Sequence, residues 1–437
     1  MNSMKKILIT AMLFTMVLGI SSFKHSNDLN EDFNNYFENQ TLRIDFNLNG
    51  NDTSEEFILK ELKKQSIWAG SQKLATHTSV DMGSYRFLIY DSVSNLLLYK
   101  QGFCSLFNEW QTTAEAKSTK QSYYHVNLMP FPKNTVRYVL EKRAFSDGQF
   151  HPIQELFINP TNYFIVNEKP LPTKFTVIQG GDACNHKIDI AFVAEGYTKE
   201  EMKKFRKDVK RVWDYISSIP PFDEYRNEFN VYAVESISTE SGTDIPGKHL
   251  YKNTVLNSMF YTFDTPRYLT TRDIKSLHDN AAVVPYDQLF VLINSAEYGG
   301  GGFYNYYSGS TVDHELSLKV ALHEFGHGFA GLADEYYRSS VAYNGFYNLK
   351  TEPWEPNITT LVAFETKWKD MVPQGVNVPT ERNKELKDSI GVYEGGGYSS
   401  KGIYSPFQDC RMKSNAPNNF CPVCKKSILQ TIKNYIN

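Results

Sequence analysis

The stretch that most constrains the fold of this chain is His323-Glu324-Phe325-Gly326-His327, which reads H-E-x-x-H. Residues four apart on an α-helix lie on one face, about one turn apart. His323 and His327 can therefore direct two imidazole nitrogens at the same metal ion, and Glu324 can reach a water molecule bound to that ion. This arrangement is typical of zinc hydrolases. It predicts a helix that carries a catalytic metal site.

The residues around the motif also favour a helix. Apolar side chains recur at i, i+4, i+7 and i+11, which indicates one buried face. The residues of this stripe are Leu318, Leu322, Phe325 and Phe329. Ser310 or Thr311 is predicted to cap the N-terminus. Gly328 and Gly331 are predicted to end the helix and turn the chain.

An acidic residue after the glycine turn completes the predicted metal site. Asp334 follows His327 by seven residues, and its carboxylate can return to the metal as a third ligand, leaving the fourth zinc position to water. Glu324 is then the predicted catalytic base, and one zinc ion is the predicted cofactor. The alternative is a chance H-E-x-x-H on an ordinary amphipathic helix, which predicts no acidic pair just after a glycine turn.

Length, charge and the N-terminus limit the class of protein. The chain has 437 residues, enough for two or three domains, and its formal charge of −3 provides no basic face for nucleic acid. Lys5 and Lys6 precede a short apolar run, Ile7–Ile20, which indicates a signal peptide over residues 1–24. The run is too short to span a membrane comfortably. We expect a secreted, periplasmic or cell-surface protein without a membrane span.

Residues 25–168 are predicted to form a β-sandwich accessory domain. Apolar residues alternate with polar ones over Leu42–Leu48 and Val136–Leu140, and short apolar runs occur at Tyr85–Tyr90 and Leu96–Tyr99. Such alternation is typical of antiparallel sheets packed face to face. Glu55–Gln65 is predicted to be a short helix. The domain either binds substrate or glycan, or shields and positions the second domain.

Residues 172–437 show a different pattern, typical of an α/β domain with a mixed sheet. Continuous apolar runs predict buried strands at Ile188–Val193, Phe229–Val234 and Leu289–Ile293. Thr198 and Glu201 form a capping box that opens a helix. The end of the chain, Val423–Ile436, is predicted to be helical.

The strand just before the active helix is a candidate for substrate binding. Leu289, Val291 and Ile293 are predicted to lie in a strand at the sheet edge, where a substrate could add by main-chain hydrogen bonds. The glycines that follow, Gly299 to Gly302, would let a substrate backbone approach closely. The alternative is a flexible loop without substrate contact.

Three of the five cysteines lie close together near the C-terminus. Cys421 and Cys424 form a C-x-x-C pair, and Cys410 precedes them. Because an exported protein permits disulfides, we predict a disulfide from Cys410 to Cys421 or Cys424, with Cys410–Cys424 as the chosen pair. A structural zinc site is the alternative, but it needs a fourth ligand that the sequence does not offer at the usual spacing.

Several motifs in order resemble a known family. These are KIDIAFVAEGYT, then HEFGHGFAGLADEY, then GVYEGGGY, DCRMKS and FCPVC. Together they resemble the secreted bacterial IgA-peptidase family of zinc metallopeptidases, over roughly residues 172 to 437. The resemblance implies a multidomain α+β protein: an N-terminal antiparallel β-sandwich, then a metzincin-like α/β zinc peptidase domain with a mixed sheet.

The resemblance also implies roles for single residues. His323, His327 and Asp334 correspond to zinc ligands, Glu324 to the base, and Met412 to the methionine of the turn beneath the metal, a floor and not a ligand. Metzincins at large have the glycine and the third ligand one residue earlier than here. That displacement leaves Glu335 as an alternative third ligand.

The predicted function is hydrolysis of peptide bonds in host or environmental proteins by a zinc-dependent endopeptidase. The family name suggests immunoglobulin A as substrate. Two alternatives remain: a metallopeptidase directed at glycoproteins such as mucins, and a non-catalytic surface binding protein with a remnant zinc site. The expected partner is a protein or glycoprotein substrate, and binding to nucleic acid is not expected. The sequence does not set the oligomeric state, and we expect a monomer.

Overall fold

The computed structural model describes residues 33–74, 81–182, 184–337 and 345–436. The predicted signal peptide, residues 1–24, lies outside these ranges. Among the helices in these ranges, none combines the length and the apolar character needed to cross a lipid bilayer.

The N-terminal part of the chain forms two four-stranded sheets. The strands are β1 (Phe37–Gly50), β2 (Glu55–Gln65), β3 (Tyr85–Asp91), β4 (Leu97–Phe103), β5 (Gln121–Pro132), β6 (Val136–Arg143), β7 (Phe150–Ile158) and β8 (Val166–Asn167). Their orders are β5-β1-β2-β8 and β4-β3-β6-β7. Two short helices accompany them, α1 (Phe33–Tyr36) and α2 (Leu106–Trp110).

The two sheets share one buried core. Asn127 in β5 donates a hydrogen bond of 2.8 Å to the hydroxyl of Tyr138 in β6, and the rings of Phe57 and Tyr138 lie 6.5 Å apart. The predicted helix at Glu55–Gln65 is wrong, because this segment is β2 and pairs with β1 along its whole length. Sheet hydrogen bonds there override the helix preference of its Glu, Lys and Leu residues.

The second part of the chain is built on a six-stranded mixed sheet. Its strands are β9 (Lys174–Gln179), β10 (Ile188–Glu195), β11 (Phe229–Glu235), β12 (Gln288–Ile293), β13 (Gly300–Phe303) and β14 (Tyr307–Thr311). The order is β13-β14-β12-β10-β11-β9, with four parallel strands inside and an antiparallel strand at each edge. The three strands predicted from apolar runs are confirmed.

The prediction of a substrate-binding edge strand at Leu289, Val291 and Ile293 is wrong. These residues lie in β12, which is buried and pairs with β10 on one side and β14 on the other. Strand β14 was missed because its sequence, YSGST, is polar. The edge strand on this side of the sheet is β13. Its outer side pairs at Gly300 with Tyr268 in an isolated β-bridge, and the N–H of Leu269 donates to the carbonyl of Gly300.

The sheet lies between helices on one face and the N-terminal domain on the other. The helices are α3 (Met202–Ile216), α4 (Ile274–Ala281), α5 (Ser317–Ala330) and α6 (Pro422–Ile436). Of these, α3, α5 and α6 pack on the first face, and α4 packs on the face that the N-terminal domain covers. A hairpin of β15 (Tyr393–Gly396) and β16 (Ser399–Ser405) precedes α6. Phe192 and Phe290 pack in one core with α3, α5 and α6. Ala191 and Val291, on the opposite face, share a core with the N-terminal sheets. The Thr198–Glu201 capping box and the C-terminal helix are confirmed.

Helix α5, which carries the H-E-x-x-H motif, has the predicted buried stripe but a different beginning. Ser310 and Thr311 lie in β14 and do not cap it; the backbone N–H of His314 instead donates to the hydroxyl of Ser317 at 3.1 Å. Gly328 lies inside the helix. Gly331 ends it with a φ of 59°, as predicted, and its N–H donates to the carbonyl of His327 at 3.0 Å. This turn directs the following acidic residues back towards the helix.

The two parts of the chain meet through buried polar and aromatic contacts. The backbone N–H of Cys104 donates to the carbonyl of Tyr304 at 2.8 Å, and the Asn305 amide donates to the carbonyl of Gly102 at 2.9 Å. His125 is stacked between Phe46 and Tyr306, with ring centroids 5.4 and 5.3 Å away. Burial lowers the pKa of His125 to about 3, so it is neutral in the fold.

The buried His125 predicts that stability falls with acid. The unfolded chain takes up this proton near pH 6.5, whereas the folded chain resists it down to about pH 3, so unfolding is favoured as pH falls through that window. We expect the His125→Phe variant to lose about 1.4 kcal/mol less per pH unit than the wild type between pH 6 and 4. Urea denaturation at a series of pH values measures this. Parallel curves for the two proteins would contradict the prediction.

Candidate metal centre and cleft

The three predicted metal ligands lie together at the C-terminal end of α5. The Nε2 atoms of His323 and His327 are 3.0 Å apart, and Asp334 Oδ1 lies 3.0 Å from the first and 3.4 Å from the second. Ligands at 2.0–2.1 Å from a tetrahedral zinc ion stand about 3.3 Å apart. The three atoms therefore have the separations of one face of such a site.

Main-chain carbonyl groups set the direction of both imidazole rings. His323 Nδ1 lies 3.0 Å from the carbonyl oxygen of Arg411, and His327 Nδ1 lies 2.5 Å from that of Leu332. A carbonyl can only accept, so both Nδ1 atoms carry a proton, and Nε2 is the atom of each ring that is left to bind a metal. Metal-binding histidines are usually held in this way.

Asp334 is oriented by the β15–β16 hairpin. The hydroxyl of Tyr398 donates to Asp334 Oδ2 at 2.6 Å, and the N–H of Gly397 donates to the Asp334 carbonyl at 2.8 Å. Oδ1 is buried and has no hydrogen bond of good geometry among the described residues. It is left facing the two histidines, as a metal ligand would be.

The opposite charges of Asp334 and the two histidines stabilise one another. Burial works against ionisation of Asp334, but the two histidines hold its pKa well below the usual range. Burial likewise works against protonation of His327, but Asp334 and Glu324 raise its pKa to about 9. The pocket thus favours positive charge between these side chains.

Glu335, the alternative third ligand, points elsewhere. Its Oε1 accepts hydrogen bonds from the Asn357 amide at 3.0 Å and from the Cys424 thiol at 3.3 Å. Of the two adjacent carboxylates, the structure brings only Asp334 to the histidine pair.

Glu324 lies beside the three ligands in a buried position. Burial is the largest influence on its carboxyl group and raises the pKa above the ordinary value. Strand β13 crosses the helix closely there: a Cβ on Gly300 would stand 2.8 Å from Glu324 Oε1. Gly300, in the glycine run predicted to admit a substrate backbone, leaves room for the side chain of Glu324.

Met412 lies under the active helix, where the predicted methionine turn should be. It is fully buried, and a Cβ on Gly326 would stand 2.9 Å from its sulfur. Gly326 lies between the two histidines in sequence, and a side chain there would have to displace the sulfur of Met412. The carbonyl of Met412 also accepts the N–H of Glu335 at 2.8 Å.

The predicted Cys410–Cys424 disulfide is absent from this structure. The two sulfur atoms lie 3.8 Å apart as thiols, whereas a disulfide bond measures about 2.05 Å. The physical reason is that Cys421 and Glu335 share the same buried cluster, so the cysteines are arranged as a group of three and not as a pair.

The site opens into a cleft of about 790 Å³ to which both parts of the chain contribute. Glu109 and Arg143 line it from the N-terminal domain, and Arg267 and Trp354 from the catalytic part. Glu109 accepts a hydrogen bond from the Tyr268 hydroxyl, and burial raises its pKa to about 7. No sequence motif marked Glu109 or Arg267, and Glu109 reaches the cleft only because the two domains dock.

Comparison with known proteins agrees with this description. A family model described as IgA Peptidase M64 matches residues 176–389 and 381–432, and one described as Peptidase M64 N-terminus matches residues 32–152. No curated protein matches the chain.

The hydrogen bond from Tyr398 to Asp334 predicts a measurable effect on metal affinity. Tyr398→Phe removes the hydroxyl that orients the carboxylate, so we expect zinc affinity to fall by roughly 10–100-fold. Competition with a chromogenic chelator measures it. Tyr404→Phe, on the same hairpin, is the matched control and should keep the affinity of the wild type. Equal affinities for all three proteins would refute the role given to Tyr398.

Proposed function

Because the chain belongs to the IgA peptidase M64 family, we propose that this peptidase is a secreted, zinc-dependent endopeptidase with a metzincin-like catalytic domain. One observation carries the proposal: His323 Nε2, His327 Nε2 and Asp334 Oδ1 converge beside Glu324 in a cleft. The apolar run Ile7–Ile20 after two lysines supports secretion.

His323, His327 and Asp334 fit a zinc ion chemically. Two imidazoles and a carboxylate are a common catalytic ligand set, and three protein ligands leave a position for water or substrate. The buried, otherwise unsatisfied Asp334 Oδ1 supports the assignment. A bound zinc ion would lower the pKa of water and polarise the scissile carbonyl group.

Glu324 acts as the general base and then as the general acid. Its side chain lines the same cleft as the three ligands. Its burial favours the protonated form once it has accepted a proton from water. It can then pass that proton to the leaving amine, as a general acid.

The cleft suits an extended segment of polypeptide. Its volume is within the range of binding sites, and residues of both domains line it. The N-terminal domain therefore supplies one wall of the substrate site in this proposal, which joins the two roles predicted for it. Met412 forms the floor beneath the metal.

The family description makes immunoglobulin A the first substrate to test. Product mass spectrometry after incubation with immunoglobulin A, a mucin and a peptide library would identify the bonds cleaved. Cuts in the mucin alone would point to the glycoprotein-directed alternative. An absence of cuts in every substrate, with zinc bound, would favour a binding protein.

Glu324→Gln tests the mechanism directly. The amide cannot take a proton from water, so we expect turnover to fall by at least about 10²–10⁴-fold while zinc content is kept. Glu315→Gln, an exposed glutamate just before α5, is the control and should keep full activity. Peptidase activity retained by Glu324→Gln would contradict the mechanism.

A further inference from the structure

A second group of metal-ligating side chains lies outside the proposed active site. It contains Glu335, Cys410, Cys421 and Cys424, all buried, with ligand atoms within 4.8 Å of one another. We propose that this group binds a second zinc ion, with a structural role, through three thiolates and one carboxylate.

The distances within the cluster match a tetrahedral zinc site. Zinc–sulfur bonds of 2.3 Å place two thiolates about 3.8 Å apart, and a thiolate and a carboxylate oxygen about 3.6 Å apart. Cys410 Sγ and Cys424 Sγ are 3.8 Å apart, and Cys424 Sγ lies 3.3 Å from Glu335 Oε1. The backbone N–H of Cys421 donates to Cys410 Sγ at 3.2 Å.

The buried carboxylate of the cluster also favours a bound cation. Glu335 is completely buried, and its Oε2 has no hydrogen-bond partner among the described residues. A buried carboxylate is costly unless it is paired or binds a metal. A disulfide between any two cysteines would still leave Oε2 of this carboxylate without a partner, whereas one zinc ion can bind all four side chains.

Four ligands from the protein leave no position for water, which is the arrangement of a structural site. Iron–sulfur clusters are usually held by four cysteines, and hard cations prefer oxygen ligands. Three sulfurs and one oxygen at tetrahedral spacing therefore point to zinc.

The positions of the four ligands in the fold indicate what a bound ion would stabilise. Cys410 directly precedes Arg411, whose carbonyl orients His323, and Met412, which lies beneath α5. Cys421 and Cys424 lie at the start of α6, and Glu335 follows Asp334. The ion would thus tie the methionine turn and the third-ligand segment to α6, and keep the catalytic ligands in place.

Zinc content of variants of the full chain tests the inference. With Glu324→Gln as background, to prevent self-cleavage, we expect two zinc ions per chain by mass spectrometric metal analysis. The variant with His323→Ala and His327→Ala should retain one. Its cobalt-substituted form should show thiolate-to-metal charge-transfer absorption, which a site of histidines and carboxylate cannot give.

Adjacent acidic residues provide matched variants. Asp334→Asn should weaken zinc binding at the histidine site and keep the thiolate absorption, whereas Glu335→Gln should weaken binding at the cysteine site. Cys421→Ser with Cys424→Ser should lose one zinc ion, and Cys184→Ser, which belongs to neither group, should keep two. If the double serine variant does not fold, the zinc content and cobalt spectrum of the histidine variant still test whether the cysteine cluster binds metal.

One zinc ion in the parent and none in the histidine variant would overturn the inference. So would a disulfide among these cysteines in a non-reducing peptide map, or a different metal in the histidine variant. The inference rests on the proposed function only in assigning the other zinc ion to His323, His327 and Asp334. A chain with two zinc ions but no peptidase activity would refute the proposed function and leave the cysteine site standing.

Discussion

Two main-chain carbonyl groups, those of Arg411 and Leu332, fix the direction in which the imidazoles of the active helix face. They accept the Nδ1 protons of His323 and His327, so that both Nε2 atoms face the same place. Two turns keep these carbonyls in position. The turn at Gly331 brings Leu332 back under the helix, and the turn at 411–413 brings Arg411 beneath it.

Asp334 and Glu335 join the two halves of this arrangement. Asp334 faces the histidines and is held by Tyr398, while Glu335 faces the cysteines and is held by Asn357. The N–H of Glu335 also binds the carbonyl of Met412, so that the acidic pair and the methionine turn form one unit. The proposed structural ion would stabilise this unit from the side opposite the cleft.

The sequence was informative where a pattern has one structural meaning. Residues four apart on a helix must share a face, so His323 and His327 were predicted correctly to lie together. Continuous apolar runs predicted the buried strands. It could not decide between Asp334 and Glu335, because both follow the same turn and their directions depend on the hairpin and on α6. It missed Glu335 as a partner of the cysteines because the two are distant in the chain.

The errors have related causes. Strand β14 is polar because its residues meet the helix and the glycine strand β13, so β12 was wrongly placed at the edge. Glu55–Gln65 has helix-forming residues but is held by pairing with β1. Glu109 enters the cleft only because the N-terminal domain docks on the sheet. Each depends on tertiary contacts that local sequence patterns do not encode.

The central claim is that neighbouring carboxylates serve two separate zinc ions. Anomalous X-ray diffraction from crystals of the zinc-loaded protein, recorded on both sides of the zinc absorption edge, tests it most directly. The account predicts two zinc peaks per chain, one bounded by His323, His327 and Asp334 and the other by Glu335 and the three cysteines. A single peak, or one ion bound by both Asp334 and Glu335, would contradict it.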